Sequence, residues 1–268
     1  MPNIGPNRED VVTTQDWIGL LMPAMFPLML VIERIWPARE FPRVPHWHWI
    51  GIALFFYAGA LNAVLLNVVP ADWLANHRLF NLSKLGLLPS VVIGHIVITL
   101  ATFAWHRATH ELNFLWRGFH QLHHAPRHLN IYAANFIHPA DLSVYVVVPA
   151  LIAFALGVEP LAAVILINIG GFNAFLQHWN VRTPRWLALF CQRPEAHCVH
   201  HERGLHRYNY SDLPLWDVVF GTFRNPDTWQ GETGFDEPAD RRYAAMLAFM
   251  DVNAPLIGER SLGQSQRG

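Results

Sequence analysis

Uncharged apolar runs alternate with short polar connections through the first two thirds of the chain. Residues 49–69 and 85–105 each give 21 consecutive positions without an acidic or basic side chain. Either run can cross a hydrocarbon core of roughly 30 Å as a helix. Residues 17–32 are shorter and contain Pro23 and Pro27. Neighbouring helices satisfy backbone groups that proline frees, so a kinked span is expected there. Residues 142–158 and 160–177 are separated only by Glu159, and the turn Gly157-Val158-Glu159-Pro160 makes them a hairpin that spans or dips partway. The pattern predicts an all-α integral membrane bundle of four to five apolar helices carrying a histidine-rich helical cap.

Composition agrees. Of 268 residues, 52% are hydrophobic and only 15% charged, which suits a membrane protein better than a soluble domain of this size. A net charge of −1 excludes an electrostatic nucleic-acid binder, which needs a basic patch. Arg34, Arg39 and Arg43 lie in the first connection and thirteen arginines follow Trp105, whereas Arg8, Arg78 and Lys84 fall on the other side. The positive-inside rule then puts the cap and the C-terminus in the cytoplasm. The polar residues 1–10 carry no secretory signal pattern, and Cys191 and Cys198 are too few for a disulfide framework. One membrane domain is expected over residues 1–224, with a peripheral tail over 225–268.

The chemistry lies in the histidines. His106 and His110 form H-x-x-x-H, His120, His123 and His124 form H-x-x-H-H, and His197, His200 and His201 repeat the latter. Residues three and four apart share a helix face, so each cluster aims two or three imidazoles together. Eight such rings exceed what one ion can use, and the chain reads as a two-metal site. His46 and His48 alternate with Trp47 and Trp49 as in an interfacial aromatic belt; these two, with His77 and His206, read as structural. His95 needs a polar partner inside the membrane, for which Asn168 or Asn173 is available, or else lines a lipid tunnel.

Imidazole suits zinc, copper, iron and nickel alike. A structural zinc site asks for four closed ligands, usually including cysteine, and E-x-x-H motifs of soluble di-iron bundles are missing. A shell made only of histidine adds no negative charge. Ferrous ions within it would stay electrophilic and able to reduce dioxygen.

The order H-R-x-x-H-E, H-x-x-H-H, H-x-x-H-H, followed by Asn209-Tyr210 and Trp216-Asp217-Val-Val-Phe220-Gly221-Thr222, resembles the fatty acid hydroxylase superfamily, the sterol desaturase-like membrane di-iron oxygenases. The resemblance covers residues 102–223. It departs at Ser211, where the family's usual glycine is absent, and at Pro214. It implies two iron ions, O₂ as co-substrate and a lipid substrate. Zinc found in purified, overexpressed material would not exclude iron in the cell.

Carried over residue by residue, the family's eight-histidine set corresponds to His106, His110, His120, His123, His124, His197, His200 and His201. His178 is a ninth candidate, His138 a ligand or ring-orienting residue, and His128 a weaker match. Glu111, Asp217 and Asn180 are candidates to orient metal-bound rings.

The expected activity is hydroxylation of a lipid C–H bond, with desaturation as the alternative outcome. From other classes, a divalent-metal transporter would place its ligands near the bilayer midplane, and a bis-histidine haem protein would leave most of these histidines unused. No glycine-rich nucleotide fingerprint is present. A separate ferredoxin, b-type cytochrome or reduced pterin is therefore expected to supply electrons, with Arg182 and Arg185 as a docking face.

Overall fold

The computed structural model describes residues 13–253. The polar N-terminus and the last part of the tail lie outside them. Among the described residues, five helices are long and apolar enough to cross a membrane: α1 (Thr14–Ile35), α2 (Trp47–Val68), α3 (Leu87–Glu111), α4 (Pro139–Leu156) and α5 (Pro160–His178). Shorter pieces follow, among them α6 (Pro194–His200) and α7 (Leu215–Val219). Among the described residues the only β-type pairing is one bridge between Glu202 and Thr233.

Local sequence explains the ends of these helices. Thr13 and Asp16 close a reciprocal capping box on α1. Proline stands in the first turn of α4 and of α5, where its missing N–H costs nothing. α4 stops at Gly157 in the left-handed conformation (φ 64°), and a Cβ there would collide with the Phe80 carbonyl oxygen. The hairpin turn therefore packs on the connection between α2 and α3, where Leu79 and Phe80 donate to the Ala155 carbonyl.

Chain direction brings the ends of α1, α3 and α5 and the starts of α2 and α4 to one side of the bundle. There the cap packs on an apolar cluster that includes Phe26, Trp47, Leu129, Ile131, Tyr132 and Phe136. Gly51 in α2 lets the Tyr132 ring lie against the helix, since a Cβ would overlap it. The segment after Asn225, expected to lie peripherally, contributes buried Trp229, Phe235, Met246 and Val252 to the same cluster.

Glu33, buried near the end of α1, pins two cap segments through three donors. Its carboxylate accepts from the side chain of Asn130 (2.9 Å) and from the backbone N–H groups of Ile131 (3.1 Å) and Asn180 (2.9 Å). A buried carboxylate surrounded by donors in this way is satisfied by hydrogen bonds in place of water.

Candidate metal centre

Nine histidines converge on the cap side of the bundle. α3 ends with His106 and His110, one turn apart. The chain then makes a five-residue π-helical turn, Trp116–His120, and a short helix, Gln121–His124. Such widened turns recur at functional sites. α5 ends at His178, and α6 with the residue after it carries His197, His200 and His201.

The rings sort into two adjoining groups. His106, His110, His120, His124 and His200 form one; His123, His178, His197 and His201 form the other. Within each group the ligand-capable nitrogens all lie within 4.8 Å of one another. The two H-x-x-H-H motifs interlock. Each gives its i,i+4 pair to one group and its middle histidine to the other: His120 and His124 against His123, His197 and His201 against His200. The groups meet where His124 stacks on His201, with ring centroids 4.1 Å apart.

The donor geometry fits bound ions. Nε2 of His120 lies 3.0 Å from Nε2 of His106 and 3.2 Å from that of His124. In the second group Nε2 of His178 lies 3.1 Å from those of His123 and His197, and His197 and His201 are 3.0 Å apart. Two nitrogens each ~2.1 Å from a shared ion would be separated by about 3.0 Å at a right angle and about 3.4 Å at the tetrahedral angle. Nε2 of His110 and of His200 are buried without any hydrogen-bond partner. Orphaned buried polar atoms each cost about 1–3 kcal/mol, and an ion between them removes that cost.

Five of the opposite ring nitrogens are anchored, whereas Nδ1 of His197 is buried without a partner. Nδ1 of His106 faces the Tyr210 carbonyl at 2.7 Å, His178 that of Ala174 at 2.7 Å, His200 that of Tyr208 at 2.7 Å and His123 that of Phe136 at 3.2 Å. His120 instead meets the fully buried Asp141 carboxylate at 2.7 Å, whose other oxygen accepts from the Trp105 indole at 2.8 Å. Donation from Nδ1 fixes the tautomer and turns the Nε2 lone pair inward. Burial pushes His120, His123, His124, His197, His200 and His201 below the usual histidine range, so the rings are neutral and able to ligate.

Other expected site residues have different surroundings. His138 caps α4: its Nδ1 accepts from the Ala140 N–H at 3.1 Å, and it belongs to neither group. Glu111 pairs with Arg107 on the surface at 2.7 Å and does not orient His110. Asn180 donates to Glu33 and to the Arg39 carbonyl rather than to a ring. His128 stands against the Pro42 carbonyl.

Asp217 acts one step removed. It accepts from the Tyr210 and Ser211 N–H groups, both at 2.8 Å, and from Thr222 Oγ1 at 2.6 Å, so it braces the loop that holds His106. In α5, Asn168 donates to the Val164 carbonyl and leaves its Oδ1 buried without a partner.

Two residues were missed by the sequence reading. Asp141 is an acid in the first turn of an apolar span, a position that itself marks functional groups. His206, read as structural, places Nδ1 3.0 Å from Nδ1 of His124 in a left-handed conformation (φ 44°). It also lines a cavity of about 530 Å³ that reaches His110, beside Trp116, Arg207 and Tyr210.

The fatty acid hydroxylase family model matches residues 91–222. An ornithine lipid hydroxylase of Rhizobium tropici is 28% identical over 214 residues, 76% of this chain and 64% of the relative. Human alkylglycerol monooxygenase is 32% identical over 161 residues, 55% and 33% of the two chains. An Arabidopsis thaliana sphinganine C4-monooxygenase is 24% identical over 169 residues, 61% and 65%. The matched stretch belongs to the fatty acid hydroxylase superfamily. The chain aligns with less than two thirds of the length of each of these three relatives. No solved structure matches it.

Proposed function

We propose that the protein is a membrane-bound, O₂-dependent lipid hydroxylase whose nine clustered histidines hold two iron ions. The observation that carries this reading is the interlock of the two H-x-x-H-H motifs, which divides nine rings into adjoining groups of five and four. Bound iron would supply reductive activation of O₂ and removal of hydrogen from an unactivated carbon.

The chain's own residues do the rest. Backbone carbonyls and Asp141 hold five of the imidazoles with their lone pairs inward, and burial of every ring but His110 limits the access of bulk water to the side of the cavity. His106, His110 and His178 stand at the ends of α3 and α5, which sets the centre at the level where the apolar spans end. That same placement argues against a transporter, whose ion sites sit near the midplane.

Lipid is the substrate class we take from the relatives named for ornithine lipid, alkylglycerol and sphinganine. Hydroxylation is preferred to desaturation because those relatives are named as hydroxylase or monooxygenases. The arginine distribution supports a cytoplasmic cap. The oxygenase unit is taken as residues 1–224, with the tail packed against it. A separate donor must bring two electrons. Arg185 is already paired with Asp227 at 2.9 Å, whereas the cavity at His110 offers a shorter approach for a reductant.

Mass spectrometry of membrane lipids tests the reading. Cells carrying the protein should accumulate a lipid heavier by one oxygen atom, labelled from ¹⁸O₂ and missing with the His120→Ala variant. Lipid profiles that are identical under those conditions would end it.

A further inference from the structure

α7 belongs by sequence to the cap, yet it packs along a membrane span. The Trp216 indole donates to Thr99 Oγ1 at 3.1 Å, at the middle of α3. Phe220, just after α7, stacks on Phe103 with ring centroids 5.0 Å apart and planes 19° from parallel. Arg107 is the first charged residue of α3 and stands eight positions beyond Thr99, about 12 Å along the axis. A group touching Thr99 is therefore well below the level at which α3 becomes polar.

The outward face of this segment is apolar. Leu215, Val218, Val219 and Phe220 are each between 43% and 60% exposed. Asp217 is the only charged residue from Leu213 to Phe223, and it is turned inward with its carboxylate filled by three donors. A second apolar lip adjoins it. Trp186, Leu189 and Phe190 are exposed, and Gln192 donates from its backbone to the Asp212 carbonyl at 3.0 Å. Contiguous exposed side chains of this size mark an interaction surface rather than a wetted one.

We infer that α7 and Phe220 are immersed in the acyl region of the leaflet on the cap side, as a re-entrant element leaning on α3. The occupant of this face is bilayer lipid, because the face continues the lipid-facing surface of α3 at the same depth. Backbone groups raise no objection, since short helical pieces held against protein are tolerated at membrane depth. The element is also tied to the metal centre. Asp217 holds the Tyr210 backbone, and the Tyr210 carbonyl holds His106. Lipid packing against α7 thus acts on the posture of one ring of the first histidine group.

Site-directed spin labelling of the full chain in phosphatidylcholine–phosphatidylglycerol vesicles tests this. Labels go on Val219→Cys and, as a second position, Leu215→Cys, with Asp227→Cys as the exposed reference. The unsubstituted chain gives the background from buried Cys191 and Cys198. Labels at Val219 and Leu215 should be relaxed strongly by O₂ and several-fold less by water-soluble chromium oxalate than the label at Asp227. Relaxation by chromium oxalate equal to the reference would overturn the inference. So would a label reached by neither reagent, which would mean that protein covers the face. Depth is read without turnover, so this result and that of the lipid analysis stand or fall separately.

Discussion

Asp141 and His120 meet at 2.7 Å across 21 residues of chain, both fully buried, with Trp105 holding the second carboxylate oxygen. This pair joins the first turn of α4 to the widened turn after α3. It gives one imidazole of the first group a charged rather than a neutral anchor, and anchors of that kind change metal affinity by about 10- to 100-fold. Asp141→Asn keeps an oxygen for the Trp105 indole but loses the carboxylate. Iron affinity should fall by about that factor, measured by competition with a chromophoric chelator; an unchanged constant would mean that the pair serves packing alone.

Glu111 and His138 give the opposite expectation. Glu111 is on the surface with Arg107, and His138 caps α4. Glu111→Gln should leave metal content unchanged and stability within about 0.5 kcal/mol; His138→Asn, which retains a capping side chain, should also leave metal content unchanged. A loss of metal from either would return that residue to the site.

The contrast shows where sequence is informative. The nine histidines were legible because i,i+3 and i,i+4 spacing fixes a shared face before any tertiary contact exists, and His178 ends a run that length alone marks as a span. Their division into groups of five and four was not. It depends on how the Gln121–His124 helix and α6 face each other, which no local spacing encodes. Asp141 was hidden for the same reason, since its partner is brought near only by the crossing of α3 and α4. Glu111 was misread through adjacency to His110, although i and i+1 point to different faces of a helix. The spans themselves were plain, and boundaries differed by a few residues, as at α3, where charged Arg107 and Glu111 continue the helix beyond the uncharged run.

Glu33 is expected to carry stability rather than chemistry. Its two oxygens serve Asn130, Ile131 and Asn180. Glu33→Gln leaves one acceptor oxygen for these donors and should lower the unfolding free energy by about 1–3 kcal/mol. Thermal unfolding in detergent reads this, with metal stoichiometry at low temperature unaffected. A variant as stable as the parent would show that the clamp is dispensable.

Asp212 gives a signed pH dependence. Burial raises its carboxyl from the model-compound value of 3.8 to about 6, against the Gln177 amide that donates to it at 3.3 Å. Between those values the folded chain holds the proton more tightly than the unfolded chain. Stability contributed by the protonated form is therefore complete below about 4 and lost as pH rises through about 6. Asp212→Asn keeps the acceptor for Gln177 without a charge. It should stabilise the protein at pH 7 by roughly 1–2 kcal/mol and leave it unchanged at pH 4. An equal gain at both pH values, or a loss at pH 7, would contradict this.

The most direct test is metal stoichiometry after anaerobic reconstitution with ferrous iron, read by mass spectrometry of the metal and by Mössbauer spectroscopy. Two irons per chain are predicted, falling to one or fewer when His178 and His197 are both replaced by alanine. One iron per chain in the parent, or a count indifferent to those two substitutions, would contradict the two-group centre.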